Sequence, residues 1–144
     1  MIVLIIINTT ILSLLSSLHF YWAFGGKVFR NNAIPATADG SKIFNPGIFT
    51  TVIVAVGLLL FALATIGNLG MFHAWINGKY FRYAAYMIAI IFLLRAIGDF
   101  KYVGFFKKVR GTPFARSDTG YYSPLCFVIS AVSFFIAIYF HYRQ

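Results

Sequence analysis

Four long apolar stretches joined by short polar connections constrain this chain more than any other feature of it. An apolar run of about 18 or more residues with few charges, coiled into a helix, matches a hydrocarbon core of roughly 30 Å. The stretches predict spans at about 2–24, 46–74, 81–106 and 124–142. The expected fold class is therefore all-α: a polytopic membrane protein, a four-transmembrane-helix bundle, with residues 1–144 as a single membrane domain. The chain is 60% hydrophobic and 10% charged, against about 45–50% apolar and about 25% charged in soluble domains.

The net charge of +9 would suggest nucleic acid in a soluble protein. In a chain this apolar, basic loops orient spans and meet anionic lipid head groups, so no nucleic-acid partner is expected. The single Cys126 excludes an internal disulfide framework and a Cys-rich metal site. It is expected as a small apolar residue at the start of the last span.

The amino-terminal stretch opens MIVLIII without a basic flank or a small-residue cleavage site, which predicts an uncleaved span. Thr9, Ser13, Ser16 and then His19 or Phe20 fall near one helical face, as small hydroxyl residues do where membrane helices pack closely. HFYWAFGGKVFR then marks an interfacial exit. A turn-rich loop with Asp39-Gly40 follows, and Asn45 and Pro46 are expected to cap the second span. That span is longer than a bilayer needs, which implies tilt or a projecting end. Asn77-Gly78 should turn the chain into the third span.

Arg82 and Arg95 lie 13 residues apart in that span, roughly 20 Å at about 1.5 Å per residue. A helix anchored at one interface near Tyr80 to Tyr83 should therefore run past Gly98 and finish near Phe105 or Phe106. Asp99 would then sit one turn after Arg95 on the same face, able to pair with it at i, i+4. The segment 107–122 reads as a membrane-hugging basic loop, with Ser123 and Pro124 opening the last span.

With four spans, loops 25–45 and 107–122 share one side. From Lys27 to Lys42 and from Lys101 to Arg116 the chain carries eight Lys and Arg on that side, against Lys79, Arg82 and Arg143 on the other. Excess positive charge marks the cytoplasmic face. The expected location is an integral bacterial inner (plasma) membrane with both termini outside.

Rise per residue places a polar layer near that face. The candidate ligand-binding set is His19, Tyr21, Trp22, Arg95, Asp99, Tyr102, Arg116, Asp118 and Tyr122, since ionisable groups inside a membrane are functional candidates. The competing reading is that Arg95 and Asp99 pair only to make the bundle pack uniquely. His73 and His141, both near outer span ends, form an alternative set as axial haem ligands. Otherwise no cofactor and no metal is expected. The chain has no Glu, and HExxH, GxSxG and Gly-rich phosphate loops are missing.

The blocks HFYWAFGGK (19–27) and RAIGDFKYVGFFKKVRGTPFARSDTGYYSPLC (95–126) resemble a family of small bacterial four-span membrane proteins known as a domain of unknown function. The resemblance implies four membrane helices and brings no activity, cofactor or catalytic residue. The expected function is a non-enzymatic accessory subunit, or a binder of an anionic lipid or small anionic ligand at the cytoplasmic-face site. The alternatives are a membrane-embedded enzyme or haem/redox protein and, third, a small transporter or channel. Expected partners are the bilayer, its anionic lipids, other membrane subunits or further copies of the chain.

Overall fold

A computed structural model of the chain describes residues 1–43 and 45–142, the side chain of Asn31 excepted. Arg143, counted above among the outer charges, lies outside the described residues. The elements are α1 (Ile2–Ala23), α2 (Arg30–Ala33), α3 (Ile48–Gly67), α4 (Gly78–Ile97), α5 (Pro113–Ser117) and α6 (Ser123–His141). A π-helical turn, Asp118–Tyr122, joins α5 to α6 without a break. Among the described residues, β structure is limited to an isolated bridge between Ala36 and Lys42.

Among the described residues, four helices are long and apolar enough to cross a membrane: α1, α3, α4 and the continuous Pro113–His141. A 20-residue helix such as α3 is about 30 Å long, the thickness of the hydrocarbon core. Helices also satisfy their own backbone polar groups, as lipid requires. The chain is an integral membrane protein with an all-α four-helix fold.

The helices form a ring. α1 packs on α3 and α4 on α6, and contacts of α3 with α4 and of α1 with α6 close it. Each helix turns a stripe at i, i+3 and i+4 inward: Ile5, Asn8, Leu12 and Ser16 in α1, or Thr51, Ala55, Leu58 and Ala62 in α3. Isoleucines, leucines and phenylalanines such as Leu60, Ile90 and Phe135 point outward. Lipid tails are as apolar as leucine, so packing and interhelical hydrogen bonds hold such helices together. Ser16 Oγ donates to the Ala55 carbonyl and Ser130 Oγ to the Ala89 carbonyl, both at 2.7 Å. Asn8 Nδ2 donates to Ser133 Oγ at 3.0 Å.

The helix limits differ from expectation in several places. α3 begins at Ile48, with Gly47 and not Asn45 at its cap. It stops at Gly67, well short of residue 74. There Asn68 Nδ2 turns back to the Ala64 and Thr65 carbonyls, and Gly70 adopts φ +91°. α4 ends at Ile97 instead of running to Phe105 or Phe106, because Gly98 has φ +83°. The last crossing helix starts ten residues earlier than Ser123, with Thr112 as N-cap and Pro113 in the first turn. Thr112 Oγ1 accepts the Ala115 N–H at 3.1 Å, and proline loses nothing where its missing N–H would be unpaired anyway.

α2 packs on α5, which brings loops 25–45 and 98–112 to the same end of the bundle.

Candidate functional site

The chain reverses sharply after α4. Gly98 and Gly104 both have positive φ, at +83° and +90°. A Cβ on Gly98 would fall 1.8 Å from the Val103 carbonyl oxygen, and one on Gly104 would fall 2.2 Å from that of Ile97. Two glycine backbones thus lie against each other, and Phe105 N–H donates to the Ala96 carbonyl at 2.8 Å. Asp99 fixes the turn: its Oδ1 accepts the N–H groups of Lys101, Tyr102 and Val103 at 2.9, 2.7 and 2.9 Å. A carboxylate that binds local N–H groups in this way competes with helix continuation. Burial, the largest single influence, pushes the Asp99 carboxyl upward, but the N–H groups of Tyr102, Val103 and Lys101 outweigh it and hold it below the ordinary aspartate value.

This reversal aims the loop at Asp118, the first residue of the π-turn and fully buried. Asp118 Oδ1 accepts from Arg95 Nη2 at 2.9 Å. Its Oδ2 accepts from Lys107 Nζ at 2.9 Å and from Gly104 N–H at 2.8 Å. Lys107, only 2% exposed, also donates to the Gly104 carbonyl at 2.9 Å. The expected Arg95–Asp99 pair is therefore corrected. Gly98 ends the helix between the two, Asp99 turns to its own loop, and Arg95 reaches 23 residues along the chain to Asp118.

Beside this cluster, between α1, α3, α4 and α6, lies a mostly apolar cavity of about 500 Å³. Of the expected site residues, His19, Trp22, Arg95 and Tyr122 line it. Arg95 keeps 35% of its side-chain surface open, while its second amino nitrogen, Nη1, is buried and unpartnered among the described residues. His19 Nδ1 lies 2.8 Å from the Leu15 carbonyl, so it carries the proton and Nε2 is left without one in the neutral ring. Its ring meets Trp22 edge-on at 4.9 Å, and the Trp22 N–H is taken by the Val28 carbonyl at 2.7 Å.

The other expected residues stand apart from the cavity wall. Asp118 connects to it through Arg95, Tyr21 and Arg116 are exposed, and Tyr102 lies in the reversal loop under Lys101, 5.1 Å from its ring centre. His73 and His141 are exposed near the far end of the bundle, where His73 stacks on Phe81 at 6.2 Å and His141 meets Tyr142 at 5.5 Å. Among the described residues, no three His, Cys, Asp or Glu groups gather to hold a metal ion.

Two contributors escaped the sequence reading. Lys107 falls in the segment expected as a membrane-hugging basic loop, yet it is buried while its neighbour Lys108 is exposed; nothing local separates the two. Cys126, expected as an apolar filler, lines the cavity beside Arg95.

No curated protein and no solved structure is significantly similar to the chain. Residues 12–133, which contain the reversal loop, the π-turn and the cavity, match the family model described as Protein of unknown function (DUF3995), and the chain belongs to that family.

Proposed function

We propose that this small integral membrane protein binds an anionic group, of a lipid or another small molecule, at Arg95 in the polar end of its bundle. The observation that carries this reading is a charge imbalance. Two cations, Arg95 and Lys107, share the one carboxylate of Asp118. One positive charge is left over, on a guanidinium whose buried Nη1 has no partner among the described residues and whose side chain lines a cavity. Buried charge is costly unless paired, and arginine is the side chain best shaped to grip carboxylate or phosphate oxygens. A bound anion would complete the pairing. π-turns interrupting α-helices occur often at functional sites, which agrees with Asp118 standing at the head of one.

The same reading places this end of the bundle at the cytoplasmic face of a bacterial inner membrane, with both termini outside. Its support is the eight-to-three excess of Lys and Arg on the two loops at that end.

The test varies the head group alone. In a neutral maltoside detergent, dodecanoate should raise the melting temperature of the protein, while dodecanol and dodecyltrimethylammonium should not. Ligand at 100 times its Kd stabilises by about 2.7 kcal/mol. Arg95→Gln, which leaves Lys107 and Asp118 as a balanced pair, should lose the response. A response of equal size in Arg95→Gln would refute the assignment.

A further inference from the structure

We infer that the bound molecule is an amphiphile, with its anionic head at Arg95 and one hydrocarbon chain lying in the cavity; this rests on the anion reading above and adds the tail. The lining supports it. Beyond Arg95 the wall is built by Leu15, Gly57, Leu58, Phe61, Phe92 and Leu125, with Phe61 and Phe92 edge-to-face at 6.4 Å. A cavity of about 500 Å³ has the size of sites that enclose one small molecule, roughly 300–1,000 Å³. From Leu15 to Trp22 along α1, and from Val54 to Phe61 along α3, the lining extends about 10 Å. A small hydrophilic anion would satisfy Arg95 and leave that apolar depth empty.

The tail gains little by mere transfer, because detergent or lipid is as apolar as the cavity. Its advantage comes from linkage. A chain that fills the cavity holds its own head group at Arg95 at high effective concentration. Val54 and Ile91, both exposed and set in the apolar helices α3 and α4, line the cavity, so the recess is open at the level of the spans and a chain has a lateral way in.

Gly57 supplies the test. It lines the cavity, and a Cβ built there meets nothing within 4 Å. Gly57→Leu should therefore fold and fill the space. Comparing one ligand on two proteins cancels its partition into micelles. For the full-length protein in maltoside, Gly57→Leu should weaken dodecanoate binding at least tenfold and leave inorganic phosphate unchanged. Dodecanoate should also slow the reaction of Cys126 with N-ethylmaleimide in wild type and not in Gly57→Leu, since that thiol lines the same wall. A parallel arm with dioleoyl phosphatidate distinguishes the source: the acid binding alone identifies a free single-chain amphiphile, and phosphatidate binding alone a phospholipid, each supporting the inference if Gly57→Leu weakens it. Equal dodecanoate affinity in wild type and Gly57→Leu, with Arg95→Gln still defective, overturns the tail and spares the anion site. Loss of any dependence on Arg95 overturns both.

Discussion

Asp118 accepts hydrogen bonds from Arg95, Lys107 and the Gly104 amide while fully buried, so the two ends of its interaction are unequal. Asp118→Asn strands two cations beside a neutral amide. Breaking a buried ionic group in this way costs about 3–5 kcal/mol. Arg95→Gln removes one hydrogen bond to a charged group and leaves Lys107 on the carboxylate, which should cost about 2 kcal/mol. Thermal unfolding in neutral detergent should rank wild type above Arg95→Gln and Arg95→Gln above Asp118→Asn. If Asp118→Asn melts with wild type, the cluster does not hold the fold.

Between elements, the decisive object is the reversal from Gly98 to Gly104. It ends α4, returns the backbone against itself, and presents both polar atoms of Gly104 to the Lys107–Asp118 pair. Gly104→Ala would place a methyl 2.2 Å from the Ile97 carbonyl oxygen at a φ of +90°. Left-handed strain and overpacking together should cost about 3 kcal/mol or more. Gly57→Ala, in the open space on α3, should instead stabilise by about 0.5–1 kcal/mol through helix propensity. Melting temperatures of the two variants check the contrast, and faster proteolysis within residues 98–112 of Gly104→Ala would locate the damage. Equal stability of Gly104→Ala and wild type would mean that the two backbones are not in contact.

At the scale of the whole molecule, the four apolar helices carry their buried ionic cluster at one end, and the contact of α2 with α5 ties the two basic loops to that end. The orientation proposed above makes an accessible prediction. Lys108→Cys in a Cys126→Ser background should resist a membrane-impermeant maleimide applied to intact cells, whereas Asn77→Cys, in the exposed turn between α3 and α4, should react. Labelling of Lys108→Cys from outside would invert the topology.

What the sequence determined by itself is the class of fold: hydropathy is a local, additive property, and lipid accepts such stretches only as helices. Arg95 was legible as a charge inside the bundle for the same reason, since its place along an apolar run sets its depth. Its partner was not. Asp99 and Asp118 are chemically identical, and i, i+4 spacing favours Asp99 only while the helix continues; a glycine at position 98 can either lie within a helix or end one. The fold of the reversal settles it, turning Asp99 onto the N–H groups of Lys101, Tyr102 and Val103 and leaving Arg95 to Asp118. Lys107 and Lys108 differ in the same way, one buried and one exposed, because where a loop backbone returns is a tertiary fact that adjacent identical residues cannot encode. The cavity too belongs to the tertiary structure, since its wall is assembled from residues of α1, α3, α4 and α6 that are far apart in the chain and singly read only as apolar span residues.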